Sequence, residues 1–179
     1  MINTMFMDKM APGILRLSVM DNDLDLFEGQ YPVPQGVSYS SYLIEDDQLC
    51  LLDTVDARKQ EEWLAGLDEV LAGRKLDYLV ISHMEPDHAA TLGELLRRYP
   101  DVQVVGTAKT MAMIGQFFGM DLAGRGMTVK EGETLTTGRH TFAFYMAPMV
   151  HWPEVMVTYD TTEKVLFCAD AFGTFGALN

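Results

Sequence analysis

Short apolar or alternating apolar and polar runs recur along the chain, and their spacing predicts β-strands. The predicted strands are 13–20, 37–44, 49–53, 78–82, 102–106, 140–147, 155–159 and 164–169. Between some of them, apolar residues three and four positions apart predict amphipathic helices at 58–72, 89–98 and 109–118. Because the first four strands are joined by turn-like segments and later ones alternate with helices, we expect an α/β fold with a mixed sheet.

Two strands in the first third of the chain are predicted to form a hairpin. Segment 36–53 alternates in polarity on either side of the acidic turn 45–48, and its second strand ends at Asp53. The Pro- and Gly-containing segments 31–36 and 120–126 are interpreted as ordinary loops.

Composition and charge restrict the class of protein. The 179 residues, with 48% apolar and 22% charged residues, predict one globular domain over 1–179. The net charge of −13 repels phosphate backbones and anionic lipids, so nucleic acid is not an expected partner. The chain has no apolar run of the ~20 residues needed to cross a membrane, and its start, MINTMFMDKM, lacks the features of a signal peptide. We therefore predict a cytoplasmic protein, with Cys50 and Cys168 as buried, reduced thiols in apolar runs rather than a disulfide.

The segment that follows the predicted strand 78–82 concentrates groups that bind metal ions. His83, Glu85, Asp87 and His88 lie within six residues, with Pro86 stiffening the turn between them. A loop at the end of a rigid strand can direct several side chains to one point. The sequence therefore predicts a metal site here.

Two further candidates also follow apolar runs. His151 comes after the predicted strand 140–147 and Asp170 directly follows the predicted strand 164–169. A carboxylate at Asp170 could bridge two ions and reduce the repulsion between them. Glu154 and Trp152 are expected near His151 as supporting residues. Another histidine, His140, is interpreted as structural or surface-exposed.

Simpler interpretations exist for the same residues. Asp87 would be the N-cap of a helix that begins before Ala89, His151 would mark a packed corner before Trp152-Pro153, and Asp170 would only end a strand. Asp53 would either orient the loops or have no such role.

Taken together, the pattern resembles the flavodiiron branch of the metallo-β-lactamase superfamily. The matching residues are His83-x-Glu85-x-Asp87-His88, His151 and Asp170, supported by segments 36–44 and 52–55. The resemblance implies an αββα sandwich. It also implies His83, Glu85 and His151 on one metal ion, Asp87 on the other and Asp170 between them, with His88 as a further candidate ligand.

By this resemblance the chain would be an oxidoreductase domain with two iron ions. Zinc hydrolases of the superfamily usually have His where this chain has Glu85, and a carboxylate oxygen favours iron. The implied reactions are the reduction of dioxygen to water and of nitric oxide to nitrous oxide, with electrons from FMN. The implied partners are an electron-donor protein or flavin domain and a second copy of the chain in a homodimer.

The chain also departs from the family pattern. The family's later His ligand and its flavodoxin-like FMN domain have no counterpart in residues 1–179. The sequence is therefore interpreted as the N-terminal part of the domain, incomplete at its C-terminal end: a truncated chain, a split protein or a short form. The alternatives are a zinc-dependent hydrolase of the glyoxalase II type, and a non-catalytic oxygen-binding or sensing module or incomplete metal-binding remnant.

Overall fold

The largest element of the fold is a mixed seven-stranded sheet. The computed structural model describes residues 5–177 of the chain. The sheet contains β1 (Phe6–Ala11), β2 (Ile14–Asp21), β5 (Val37–Ile44), β6 (Cys50–Leu52), β7 (Tyr78–Val80), β8 (Gln103–Gly106) and β9 (Gly126–Thr128), in that spatial order. Strands β1, β2, β5 and β6 pair antiparallel, and β6 to β9 pair parallel. The carboxyl ends of the parallel strands therefore share one edge.

A second sheet of four antiparallel strands covers one face of the first. Its strands are β10 (Thr134–Thr136), β11 (Thr141–Met146), β12 (Met156–Asp160) and β13 (Val165–Phe167). A two-stranded ribbon, β3 (Leu26–Phe27) with β4 (Tyr31–Pro32), completes the β-structure of residues 5–177.

Helices cover the other face of the large sheet. They are α1 (Gln60–Leu71), preceded by a 3₁₀ turn at Ala57–Lys59, α2 (Pro86–Ala89), α3 (Leu92–Arg98) and α4 (Ala108–Phe118). Helix α4 begins at Thr107, whose hydroxyl accepts a hydrogen bond from the Thr110 N–H, and ends at Gly119 in the left-handed conformation.

Successive side chains of each strand point to opposite faces of the large sheet, so the sheet has an apolar core on each face. In β5, Val37, Tyr39 and Leu43 face the helices, whereas Ile44 faces the second sheet. The core between the sheets combines Ile44 and its neighbours with residues such as Phe142. The layers are therefore helix, sheet and sheet, and every α-helix within residues 5–177 contributes to the helix-side core.

The predicted mixed sheet and the β5–β6 hairpin are confirmed. The predicted helix 89–98 begins later, at Leu92, because Pro86–Ala89 forms a separate turn of helix. The sequence did not predict β1, β3, β4, β9 or β10. Strand β1 is exposed along most of its length, so its residues carry no alternation of buried and exposed positions. The interpretation of 31–36 as loop is wrong at Tyr31–Pro32, which pairs with β3.

Two smaller findings concern the class of protein. Within residues 5–177, no helix combines the length and apolar character that crossing a membrane requires. Cys50 and Cys168 are both free thiols, as predicted; Cys50 is buried, but Cys168 is half-buried, so the prediction of a buried thiol is wrong there. The predicted domain 1–179 includes residues 1–4 and 178–179, which lie outside the described residues.

Candidate metal centre

The ends of several strands bring the predicted ligands to one edge of the two sheets. His83 and Glu85 lie in the loop after β7, and Asp87 and His88 lie in α2, which continues that loop. His151 lies between β11 and β12, and Asp170 follows β13. The ligands therefore come from both sheets.

Four of the side chains form a group that we name the first half-site: His83, Glu85, His151 and Asp170. One oxygen of Glu85, Oε2, lies 2.9 Å from Nε2 of His83 and 2.9 Å from Nε2 of His151. Oδ2 of Asp170 lies 3.3 Å from the same two nitrogens. His83 and Glu85 are buried, whereas His151 and Asp170 face the surface.

A second group, which we name the second half-site, contains Asp87, His88 and Asp170. Nε2 of His88 lies 2.6 Å from Oδ1 of Asp170 and 3.4 Å from Oδ2 of Asp87. Asp170 thus directs one oxygen at each half-site. In both groups the candidate ligand atoms lie within 4.8 Å of one another.

The carboxylates of the site have shifted pKa values. Burial raises the pKa of Asp170, but the imidazoles of His83 and His88 outweigh this effect and hold it well below its usual range. Burial likewise opposes the lowering at Glu85, where hydrogen bonds from His83 and Glu28 bring the pKa to about 2. Burial raises the pKa of Asp87 to about 6, helped by the negative charges of Asp170 and Glu85.

The pKa values of two imidazoles of the site are raised. Burial lowers the pKa of His83, but hydrogen bonds to Asp170, Glu85 and Glu154 outweigh it and raise the pKa to about 10. The pKa of His88 is also raised, because its bond to Asp170 and the nearby carboxylates of Asp53 and Asp87 outweigh burial. In the metal-free protein, protons on these rings therefore balance part of the negative charge of the carboxylates.

The donor set fits metal ions. His83 and His151 with Glu85 make a two-histidine, one-carboxylate set, which is typical of non-haem ferrous sites. Oδ1 of Asp87 and Nδ1 of His88 are buried without a hydrogen-bond partner among residues 5–177. Buried polar atoms without a partner are costly, and a cation would satisfy the carboxylate oxygen of Asp87.

Several residues around the ligands have a left-handed backbone conformation, which is uncommon outside glycine. Five non-glycine residues beside the site have positive φ: Glu28 at 51°, Asp53 at 58°, Met149 at 65°, Ala169 at 47° and Phe172 at 67°. Such conformations cost about 1–3 kcal/mol each and concentrate at functional sites. Ala169 directly precedes Asp170, so this bend directs the shared carboxylate toward both half-sites.

A cavity of about 460 Å³ opens beside both half-sites. Glu85, Asp87, His88, His151 and Asp170 form its polar wall. The cavity is also lined by aromatic side chains, namely Phe27, Tyr31, Tyr39, Tyr42, Phe167 and Phe175. A small neutral molecule can therefore reach the ligands through a partly apolar space.

Three further residues contact the ligands from behind. Oε1 of Glu154 lies 2.7 Å from Nδ1 of His83, and the Trp152 ring meets the His83 ring edge-on at 5.3 Å. Oδ1 of Asp53 accepts a hydrogen bond of 2.7 Å from the Ser82 N–H, and its Oδ2 lies 3.6 Å from Nδ1 of His88. The Asp53 carboxylate therefore ties the end of β6 to the loop that carries His83.

The structure corrects several interpretations of these residues. The N-cap of α2 is Glu85, so Asp87 is a helical residue and the interpretation of Asp87 as N-cap is wrong. Glu154 was expected beside His151, but its carboxylate bonds to the His83 ring. His140 is buried and pairs with Asp160 at 2.7 Å, outside both half-sites, as a structural role predicts.

Sequence reasoning missed Glu28, in the turn between β3 and β4. Its carboxyl group shares a hydrogen bond with Glu85, and this bond, with burial and the nearby negative charges, raises the Glu28 pKa to about 7. The turn carries no strand pattern and no ligand cluster, so nothing local in the sequence indicated this contact.

Comparison with known proteins gives consistent matches. The family model described as ODP family beta lactamase matches residues 37–178. Rubredoxin-oxygen oxidoreductase of Megalodesulfovibrio gigas is 37% identical over 166 residues, covering 92% of this chain and 41% of that protein. Nitric oxide reductase of Moorella thermoacetica is 34% identical over 163 residues, covering 90% of this chain and 40% of that protein.

A search of solved structures finds a similar fold in a protein of the same kind. The flavodiiron protein from Giardia intestinalis superimposes with a TM-score of 0.90 and 30% sequence identity, covering 97% of this chain and 42% of that chain. The chain thus spans about two fifths of the length of these three proteins.

Proposed function

This chain belongs to the ODP family of beta-lactamase-like domains, and on that premise we propose that it forms the diiron-binding part of an oxygen or nitric oxide reductase. The observation that carries the proposal is the pair of donor groups that share Asp170. The names of the relatives, an oxygen oxidoreductase and a nitric oxide reductase, support the same chemistry.

In this proposal each half-site holds one iron ion. His83, Glu85 and His151 bind the first, Asp87 and His88 bind the second, and Asp170 contributes one oxygen to each. A pair of ferrous ions would supply electrons to a bound oxygen or nitric oxide molecule. The carboxylates would keep the site anionic, which stabilises the positive charge of the metal ions.

In this proposal the aromatic side chains that line the cavity control access to the metal ions. The rings of Phe27, Tyr31 and Phe175 limit the entry of water and leave a path for a small apolar molecule. Phe27 and Phe175 hold one another at a centroid distance of 4.8 Å, which joins the β3–β4 ribbon to the segment after Asp170.

The electron supply and the assembly are also proposals. We propose that FMN, in a domain or partner outside residues 1–179, delivers the electrons and is itself reduced by a redox protein.

A homodimer is proposed as well, supported by exposed apolar side chains beside the site at Met149, Val150 and Phe172. Light scattering of the chain in solution would test this: twice the mass of one chain is expected, and the mass of a single chain would contradict the homodimer. The free cysteines support a reducing, cytoplasmic location.

The alternatives have less support. The oxidoreductase names of the relatives do not favour a zinc-dependent hydrolase, and they do not favour an oxygen-binding remnant without catalysis. Glu85 further favours iron over zinc because it replaces a nitrogen ligand with a harder oxygen.

The test is single-turnover oxidation of the iron-loaded chain. The chain is loaded with ferrous ion without oxygen and mixed with dioxygen or with nitric oxide in a stopped-flow spectrometer. The proposal predicts oxidation of bound iron that is faster than that of free ferrous ion under the same conditions. Bound iron that oxidises no faster, or a chain that retains only zinc, would contradict it.

A further inference from the structure

Glu154 is a buried carboxylate directly behind the first half-site. It lies in the segment between His151 and β12, and its side chain is 0% exposed. Its Oε1 accepts a hydrogen bond of 2.8 Å from the Met84 N–H and faces Nδ1 of His83 at 2.7 Å. Burying a carboxylate is costly unless its oxygens are bonded. Oε1 has these two partners, whereas Oε2 has no hydrogen-bond partner among residues 5–177.

The bond to Glu154 restricts which nitrogen of His83 can bind a metal ion. Oε1 of Glu154 accepts the Met84 N–H, so it is also the acceptor in its contact with His83, and the proton between the two groups belongs to Nδ1. The opposite nitrogen, Nε2, is the atom that faces Glu85 at 2.9 Å and Asp170 at 3.3 Å. The ring is therefore turned so that only Nε2 faces the first half-site.

We propose that Glu154 is a positioning residue of the metal centre, which fixes the orientation and the Nδ1-protonated tautomer of His83 so that Nε2 binds the first ion. This inference deepens the proposed function and rests on it. Carboxylates behind ligand histidines also raise the basicity of the metal-binding nitrogen. Glu154 would therefore increase the metal affinity without contacting the metal ion.

The surroundings of Glu154 support a rigid position. The Thr107 hydroxyl, at the start of α4, donates to the Glu154 carbonyl oxygen at 3.3 Å. The Met156 N–H donates to the Ser82 carbonyl oxygen at 3.1 Å, which ties the start of β12 to the loop of His83. The Trp152 ring stands edge-on to His83 at 89°. The two loops are thus held together on both sides of the Glu154 contact.

The chain contains a matched control for this contact. Asp160 faces Nδ1 of His140 at 2.7 Å, and both side chains are at most 1% exposed. Neither residue belongs to either donor group. Asp160→Asn therefore neutralises a buried carboxylate bonded to histidine, as Glu154→Gln does, but away from the metal centre.

The experiment compares ferrous ion binding by the unchanged chain, residues 1–179, and by these two variants. Each protein competes with a chromogenic chelator for ferrous ion without oxygen, and circular dichroism monitors folding. Glu154→Gln is expected to lose about 10- to 100-fold in affinity for the tighter ion, the usual cost of removing a group that orients a ligand. Asp160→Asn is expected to stay within about twofold of the unchanged protein. A folded Glu154→Gln variant that binds iron as tightly as the unchanged protein would overturn the inference.

A second readout does not use the Glu154→Gln variant. The unchanged chain is labelled with ¹⁵N-histidine and loaded with zinc as a diamagnetic probe, and His83 is assigned by comparison with His83→Ala. The inference predicts a proton on Nδ1 that is protected from exchange and a metal-shifted Nε2. A His83 ring that binds zinc through Nδ1 would overturn it.

The outcomes separate this inference from the proposed function. If the unchanged chain binds no ion, the metal centre itself is wrong and the role of Glu154 is wrong with it. If the unchanged chain binds ions and Glu154→Gln binds them equally well, only the role of Glu154 is wrong.

Discussion

The two half-sites share Asp170 but differ in how their histidines are held. In the first, His83 is 1% exposed and its Nδ1 lies 2.7 Å from the buried Glu154 carboxylate. In the second, Nδ1 of His88 has no hydrogen-bond partner among residues 5–177, and the nearest carboxylate oxygen, on Asp53, lies 3.6 Å away. A ligand held in place before binding loses less freedom when the ion arrives. We therefore expect the first half-site to bind more tightly.

The largest effect is expected from removing the carboxylate that both half-sites share. Asp170→Asn takes away the negative charge that faces His83, His88 and His151. We predict that the affinity for both ions falls by more than about 100-fold, beyond the 10- to 100-fold cost of losing a residue that only orients a ligand. Metal analysis of the purified variant would show less than one iron per chain.

Asp68→Asn is the matched control for that variant. Asp68 is an exposed carboxylate in α1 that pairs with Arg98 at 2.7 Å and belongs to neither half-site. Asp68→Asn removes the same formal charge as Asp170→Asn. If Asp68→Asn retains its iron, the position of the carboxylate, rather than the net charge of the chain, decides binding. Equal iron loss in both variants would contradict a shared ligand.

Removing one histidine from each half-site tests directly whether the two half-sites bind iron with different affinity. His88→Ala is predicted to lower the iron content from about two to about one per chain, because the first half-site keeps all four of its ligands. His83→Ala is predicted to remove the tighter ion and to leave less than one iron after desalting. Iron counted by absorption spectrometry checks both variants, and identical losses would show that the half-sites do not differ.

Metal removal measures the contribution of the centre to stability. Glu85, Asp87 and Asp170 repel one another in the metal-free protein, and bound cations relieve this repulsion. Ferrous ion or zinc at about 100 times its Kd should stabilise the fold by about 2.7 kcal/mol per site. For a domain of this size the melting temperature should rise by roughly 5–10 °C for each occupied site. Calorimetry with and without a chelator would test this, and an unchanged melting temperature would argue against a folded-state site.

The smallest effect is expected at Asp53. Asp53→Asn keeps an oxygen that can accept the Ser82 N–H but removes the charge near His88. Because the His88 contact is long, we predict only a several-fold loss of affinity at the second half-site. The first ion should bind as before. The same chelator competition detects this loss, and a larger effect on the first ion than on the second would reverse our comparison.

Much of the site could be predicted from sequence because each ligand follows a strand. His83 follows β7 and Asp170 follows β13, and an apolar run marked both strands. Strand ends converge at sheet edges, so the sequence pattern predicted neighbouring side chains before the structure was known. The short helix α2 was not predicted, since Pro86–Ala89 is too short for a helical period to be visible.

The contacts behind the ligands could not be predicted in the same way. Glu154 is close to His151 in sequence, but its carboxylate bonds to His83, 71 positions away. Glu28 reaches Glu85 from a turn that has no pattern of its own. Both contacts depend on how loops from separate sheets fold over one another, and the periodicity of the sequence carries no information about that.

The most direct test of this account is a titration of the metal-free chain with ferrous ion under anaerobic conditions, followed by calorimetry. We predict two binding events per chain, of which the tighter is weakened by Glu154→Gln and the weaker is removed by His88→Ala. A single event per chain, or two events that His88→Ala leaves unchanged, would contradict a diiron centre built from two unequal half-sites.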